Sequence, residues 1–274
     1  MKRLTAVFLG SIVLLMVSSP TPLRGQTAGK DAKPTVAESI QLEPVKQLRK
    51  GVDEWPLIAN PGSPAAVRVN ATLTGLNLRL AQAVRACNGD VLDAMRGLST
   101  KAATQAITQD WSRSVSVTMA GPRFLSLVAT EETDCGGAHP NSDVMALVFD
   151  MTTGTPVNWP ALLAKTAKAS SFVDSVADGS KVGGLVLPAL AKINLERASE
   201  DCKGAFLKPQ SFLVWPDAQS GTLVVQAFDL PHVVQSCADE IGLPMGQARQ
   251  LGFDESVLTA IEQAHRQVAA TPIN

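Results

Sequence analysis

The segment Asp134-Cys135-Gly136-Gly137-Ala138-His139-Pro140-Asn141, with Asp143 two residues further on, gathers the residue types best suited to chemistry in this chain. Paired glycines allow positive φ or the close approach of a backbone to a ligand. Pro140 holds the residue before it extended, so His139 stands on a loop of fixed shape. A histidine at this position could contact a ligand, with Gly136, Gly137, Asn141 and Asp143 as the other binding candidates. The same residues also suit a structural loop in which His139 bonds backbone at a strand end. His232 follows Pro231 at the end of an expected strand, and His265 falls on a partly exposed face of the terminal helix. Three scattered histidines give too few ligands for a metal site, so neither a metal nor a cofactor is expected.

Hydrolase signatures are absent from the sequence: there is no G-x-S-x-G elbow, no S-x-x-K, no H-E-x-x-H and no phosphate-cradling glycine loop. A nucleophile needs a base within reach, and none is signalled. Binding is therefore the first reading and catalysis is not assigned. The second reading is a hydrolase that uses His139 with Asp134, Asp143 or Asn141, and the third is an assembly protein without a small ligand. Asn70-Ala71-Thr72 matches a glycosylation acceptor but falls on an expected helix. Trp55, Trp111, Trp159 and Trp215 sit at element boundaries, where they serve as core anchors or, lining a groove, as platforms for sugars.

The elements that must hold these residues read as follows. Ser63 and Pro64 form an N-cap and first helical position, and Val67, Ala71, Thr74, Leu78, Ala81 and Val84 recur at helical spacing up to Cys87. A second helix is expected after Asp90. Ser112–Met119 alternates, with Val115 and Val117 on one side, and Phe124–Thr130 does likewise across Gly121-Pro122, which predicts an antiparallel hairpin. Val144–Phe149 is a third strand, ended by the turn Thr152-Thr153-Gly154. Trp159-Pro160 opens an expected helix over Ala161–Ala167, and Pro188 opens another. Phe212–Trp215 and Thr222–Phe228 form a second hairpin, and Asp254 caps a final amphipathic helix. Helices and hairpins in blocks predict an α+β class, an antiparallel β-sheet built from hairpins with helices packed on one face.

Cys87, Cys135, Cys202 and Cys237 are widely spaced, which suits disulfides better than zinc or redox chemistry. Three connectivities are open; the expected one is sequential, Cys87 with Cys135 and Cys202 with Cys237. Lys2 and Arg3 precede an apolar run, Leu4–Val17, too short to span a bilayer, and a polar stretch follows. That is the layout of a secretory signal peptide, taken as residues 1–28, and it implies a periplasmic or extracellular protein with no membrane span after signal removal. A formal net charge of −1 with interspersed signs gives no footprint for nucleic acid.

Gly136-Gly137-Ala138-His139, then Val148-Phe149-Asp150-Met151-Thr152-Thr153-Gly154, then Trp159–Leu163 resemble the RsiV-like C-terminal domain family of unknown function. That domain is also found beside PdaC-type peptidoglycan deacetylase domains. Trp55-Pro56-Leu57-Ile58 and the helix containing Asn70 resemble the partner domain that often precedes it, while Gly221–Phe228 and Leu243-Pro244 resemble its closing strands. The chain departs from the pattern at Asp134-Cys135 and Pro140, and it contains no tyrosine. The small, polar stretch Thr27–Thr35 predicts a disordered leader, taken as 29–50, and the resemblance implies an N-terminal α+β part over 51–130 and an RsiV-like α+β domain over 131–270 packed with it. It further implies an exported binding module for peptidoglycan, another cell-wall component or a lysozyme-like, wall-directed protein.

Overall fold

In the computed structural model, the described residues are 40–95, 111–135, 140–206, 210–228 and 230–270. They all fall in one compact unit, Ala37–Asn274. Residues 1–28, expected to be a signal peptide, lie outside the described residues.

In chain order the elements are β1 (Gln47–Arg49), β2 (Val52–Asp53), α1 (Pro64–Met95), β3 (Trp111–Ala120), β4 (Phe124–Thr133) and β5 (Asn141–Asp150). They continue with β6 (Thr155–Pro156), β7 (Ser170–Ser175), β8 (Lys181–Val186), α2 (Pro188–Arg197), β9 (Ser211–Asp217) and β10 (Thr222–Phe228). Last come β11 (Glu240–Leu243), α3 (Met245–Gln250) and α4 (Glu255–Ala270). Two sheets result, a six-stranded one in the order β1-β2-β3-β4-β5-β6 and a five-stranded one in the order β11-β10-β9-β8-β7. Every pairing is antiparallel except β2 with β3. The chain is thus an α+β protein. Residues 130 and 131, the expected junction of two parts, lie inside β4, and residues 40–50 join the fold through Ile40 N–H on Ala120 O (3.1 Å) and through β1.

Helix α1 starts where Ser63-Pro64 predicts, with Ser63 Oγ accepting the Ala66 N–H at 3.1 Å. It runs unbroken past Asp90 as one helix of 32 residues. Gly75 and Gly89 face open space, and a glycine weakens a helix without stopping it. The buried stripe differs from the expected one. Val69, Leu73, Leu76, Leu80, Val84 and Cys87 are inside, whereas Val67 and Leu78 are exposed. Two asparagines on α1 hold the preceding extended segment by its backbone: Asn77 bonds both N–H and C=O of Trp55 (2.8 and 3.0 Å), and Asn70 does the same for Ile58 (2.8 and 2.9 Å). Asn70 is therefore a structural clamp.

The α1 start also docks on the turn after β5. Asp150 Oδ1 accepts the Thr152 N–H (2.8 Å) and hydroxyl (2.6 Å), and Gly154 has φ +71 with any Cβ there driven into the Ala65 backbone. Arg68 Nε donates to Thr153 O at 2.7 Å. In β3 a register shift between Val117 and Met119 breaks the alternation, burying Met119 and leaving Val117 exposed. The helix expected over Ala161–Ala167 is instead two 3-10 turns, Trp159–Leu162 and Lys165–Ala167. Its backbone is drawn off by the segment before α4: Ala164 N–H bonds Gly252 O and Asp254 N–H bonds Leu162 O, both at 2.8 Å. Asp254 does cap α4, accepting the Ser256 N–H at 2.8 Å.

Both expected disulfides are present, Cys87 with Cys135 and Cys202 with Cys237. Among the described residues no helix is long and apolar enough to cross a membrane.

Candidate functional site

A row of charged side chains crosses the six-stranded sheet. Strand register sets Arg113 of β3 against Glu131 of β4, and Glu131 against Asp143 of β5, so all three share one face. Arg113 and Glu131 form an ion pair with both side chains 0% exposed. The guanidinium lies 4.4 Å from the Trp55 ring centroid, a cation–π contact inside the core. Burial pushes Arg113 down to about 10, with Asp178 and Asp53 pulling the other way, so it remains charged at neutral pH. The row emerges towards solvent at Asp143.

There it meets a half-open cavity of about 260 Å³. Ser142, Asp143 and Val144 at the start of β5 form one wall. Asp174 and Ser175 at the end of β7 form a second, and Gln226 and Phe228 of β10 close the third. Phe172, two residues before Asp174, stacks on Phe228 with centroids 5.5 Å apart, lying where any Cβ on Gly184 would stand. This fixes the face of β7 that Asp174 shares. Gln235, from the 3-10 turn His232–Cys237, donates Nε2 to Ser142 O, and Gln226 Nε2 donates to Ala238 O at 2.7 Å. One disulfide adjoins the cavity: Cys237, bonded to Cys202, directly precedes the lining residue Ala238.

Burial raises the Asp143 carboxyl above the usual carboxylate range, and the negative charges of Asp178 and Asp174 raise it further against a hydrogen bond from the Ala177 backbone. Asp178 itself is 6% exposed, and its Oδ2 is enclosed without a hydrogen-bond partner. For a carboxyl whose folded-state pKa exceeds its unfolded one, the stabilising effect of protonation is complete below the unfolded value and is lost as pH rises through the folded value. Asp143→Asn, which keeps an acceptor for Ala177, is therefore expected to leave stability unchanged near about pH 3 and to raise it at pH 7. Screening at this half-open site keeps the gain under about 1 kcal/mol. Urea unfolding of both proteins across that pH range checks it; a lower midpoint for the variant at pH 7 would mean the carboxylate is well partnered.

Of the sequence-derived candidates, Asp143 lines the cavity. Asn141 is exposed at the strand start and is not among its lining residues. Gly136, Gly137 and His139 lie outside the described residues. All four tryptophans are core residues, 1–4% exposed, so none offers a stacking platform. His265 has a structural position: its Nδ1 lies 2.9 Å from Ala218 O and its ring abuts Gly221, which ties α4 to the β9–β10 turn. Sequence reading missed Asp174, Gln226 and Gln235, and also Arg113 and Glu131. A signal existed for the last two, since Arg113 is in phase with buried Trp111, and Glu131 with buried Leu127 and Ala129. A charge on the inward phase of a strand is out of place unless it is paired.

These features define a disulfide-bonded α+β protein with an acidic cleft between its two sheets. No family model matches the chain, and no curated protein matches it significantly.

Proposed function

We propose that this chain is an exported binding module that holds a cell-wall component, a peptidoglycan fragment in the first instance, in the cleft at the start of β5. The observation that carries the reading is the cavity: an ionisable, half-buried Asp143 opens into it, and the Cys202–Cys237 disulfide closes directly before its lining residue Ala238. A cross-link beside a wall suits recognition because less loop freedom is lost on binding. Its volume lies just below the range of about 300–1,000 Å³ typical of sites that engulf drug-sized ligands, so it suits one residue-sized group of a longer molecule.

Export is supported by the signal-peptide layout of residues 1–28 and by two disulfides, which persist in oxidising compartments. The RsiV-like resemblance supports a wall-directed role. Its Asp150-to-Gly154 hallmark has a structural explanation here, since that turn docks the start of α1, which leaves ligand contact to the neighbouring loop and to the cleft. A hydrolytic alternative would rest on His139, which lies outside the described residues.

Calorimetry with lysozyme-digested peptidoglycan, and separately with lysozyme itself, tests the proposal. Binding of the wall fragments is expected, weakened about tenfold or more by Asp143→Ala with Asp174→Ala, the loss of charge-assisted hydrogen bonds. Binding of lysozyme alone, or of neither, overturns it.

A further inference from the structure

The chemistry of the cleft is one-sided. Its walls carry the carboxylates of Asp143 and Asp174, while the Gln226 amide has its Nε2 bonded to Ala238 O and its Oε1 enclosed. The donors among its lining side chains are the hydroxyls of Ser142 and Ser175 and the amide of Gln235, which is already bonded to Ser142 O. Among the described residues, no lysine, arginine or histidine lines it. Asp178 adds a third carboxylate close enough to raise Asp143, and its Oδ2 is buried and unpartnered.

The charged row beneath does not balance them. Arg113 is the basic member of that row, and its Nη1 is bonded to Glu131 while Asp178 and Asp53 already act on it. Uncompensated carboxylates at the edge of a low-dielectric region favour a cation that brings its own donors. A metal ion is the less suitable guest: among the described residues no three His, Cys, Asp or Glu side chains converge as a ligand set. An ammonium group brings three donors and no acceptor, which matches a cavity rich in acceptors. Leu213 and Phe228 supply apolar surface for a carbon stem behind it.

We infer that the cleft between β5, β7 and β10 is a site for an organic ammonium group, held by Asp143 and Asp174. The inference rests on the binding-module reading and names the part of the ligand that enters. The ammonium can belong to a diamino acid of a peptide or to an amino sugar with a free amine. In either case acetylation of the nitrogen removes both the charge and two of its three donors.

Amide-resolved NMR titrations of the secreted protein separate these sources. One arm compares lysine, Nε-acetyllysine and norleucine, each with its α-amino group acetylated and its carboxyl amidated, and the other compares glucosamine, N-acetylglucosamine and glucose. The expected result is that lysine or glucosamine shifts the amides of Ser142, Asp174 and Gln226. Its acetylated and uncharged partners bind about tenfold or more weakly, and Asp143→Asn with Asp174→Asn abolishes the preference. Retained chemical-shift dispersion in the same spectra shows that the variant is folded. Equal binding of a free amine and its acetylated partner overturns the inference. So do wall fragments that shift these amides when neither free amine does, an outcome that leaves the binding module standing. Silence from every probe and every wall fragment overturns both.

Discussion

Replacing Arg113 by leucine is expected to destabilise the fold by about 3–5 kcal/mol, because it leaves Glu131 charged, enclosed and alone in the core. The contact with Trp55 is lost at the same time, a desolvated cation–π interaction of about 2 kcal/mol or less. Removing both partners, Arg113→Leu with Glu131→Leu, is expected to cost at least about 1 kcal/mol less than the single change, because no unpaired glutamate remains. The recovery is incomplete, since Asp178 and Asp53 also act on the guanidinium. Urea denaturation of wild type, both single variants and the double closes the cycle. A single-variant loss below about 1 kcal/mol would show that water reaches the pair and that the row is no part of the core.

The second large effect concerns the Cys87–Cys135 bridge. It closes a loop with a sequence separation of 48 residues, for which loop entropy gives about 4 kcal/mol. Cys87→Ser with Cys135→Ser is expected to lose most of that, and to loosen the link between α1 and the segment leading into β5. Thermal unfolding measures the loss. Hydrogen exchange at Ser142 and Val144 reports the loosening, and unchanged protection there would detach the bridge from the site. The Cys202–Cys237 bridge, separation 35, is expected to act comparably on the Gln235 wall.

Features governed by local signals were legible in the sequence. Ser63-Pro64 set a helix start, Asp254 set a cap, and Gly121-Pro122 set a hairpin, because each depends on only a few neighbouring residues. The sequential cysteine pairing, expected among three open connectivities, is the one formed. Strands β7 and β8 were not, since Ser170-Ser171 and Gly183-Gly184 have little β-propensity, and these strands are set by Phe172 packing over Gly184 onto Phe228. The exposed Val117 follows from a register shift that alternation alone does not reveal. The candidate site was half legible. Asp143 was found beside the glycine loop, but its partners Asp174, Gln226 and Gln235 come from three other elements brought together by tertiary packing, and no spacing rule connects them.

Localisation of a bound ligand tests the account most directly. Crystals of the disulfide-bonded protein soaked with lysozyme-digested peptidoglycan are predicted to show a bound fragment with one group inserted between Asp143, Asp174 and Gln226. A fragment bound on another surface, with the acidic cleft left as it is in the free protein, would contradict the account.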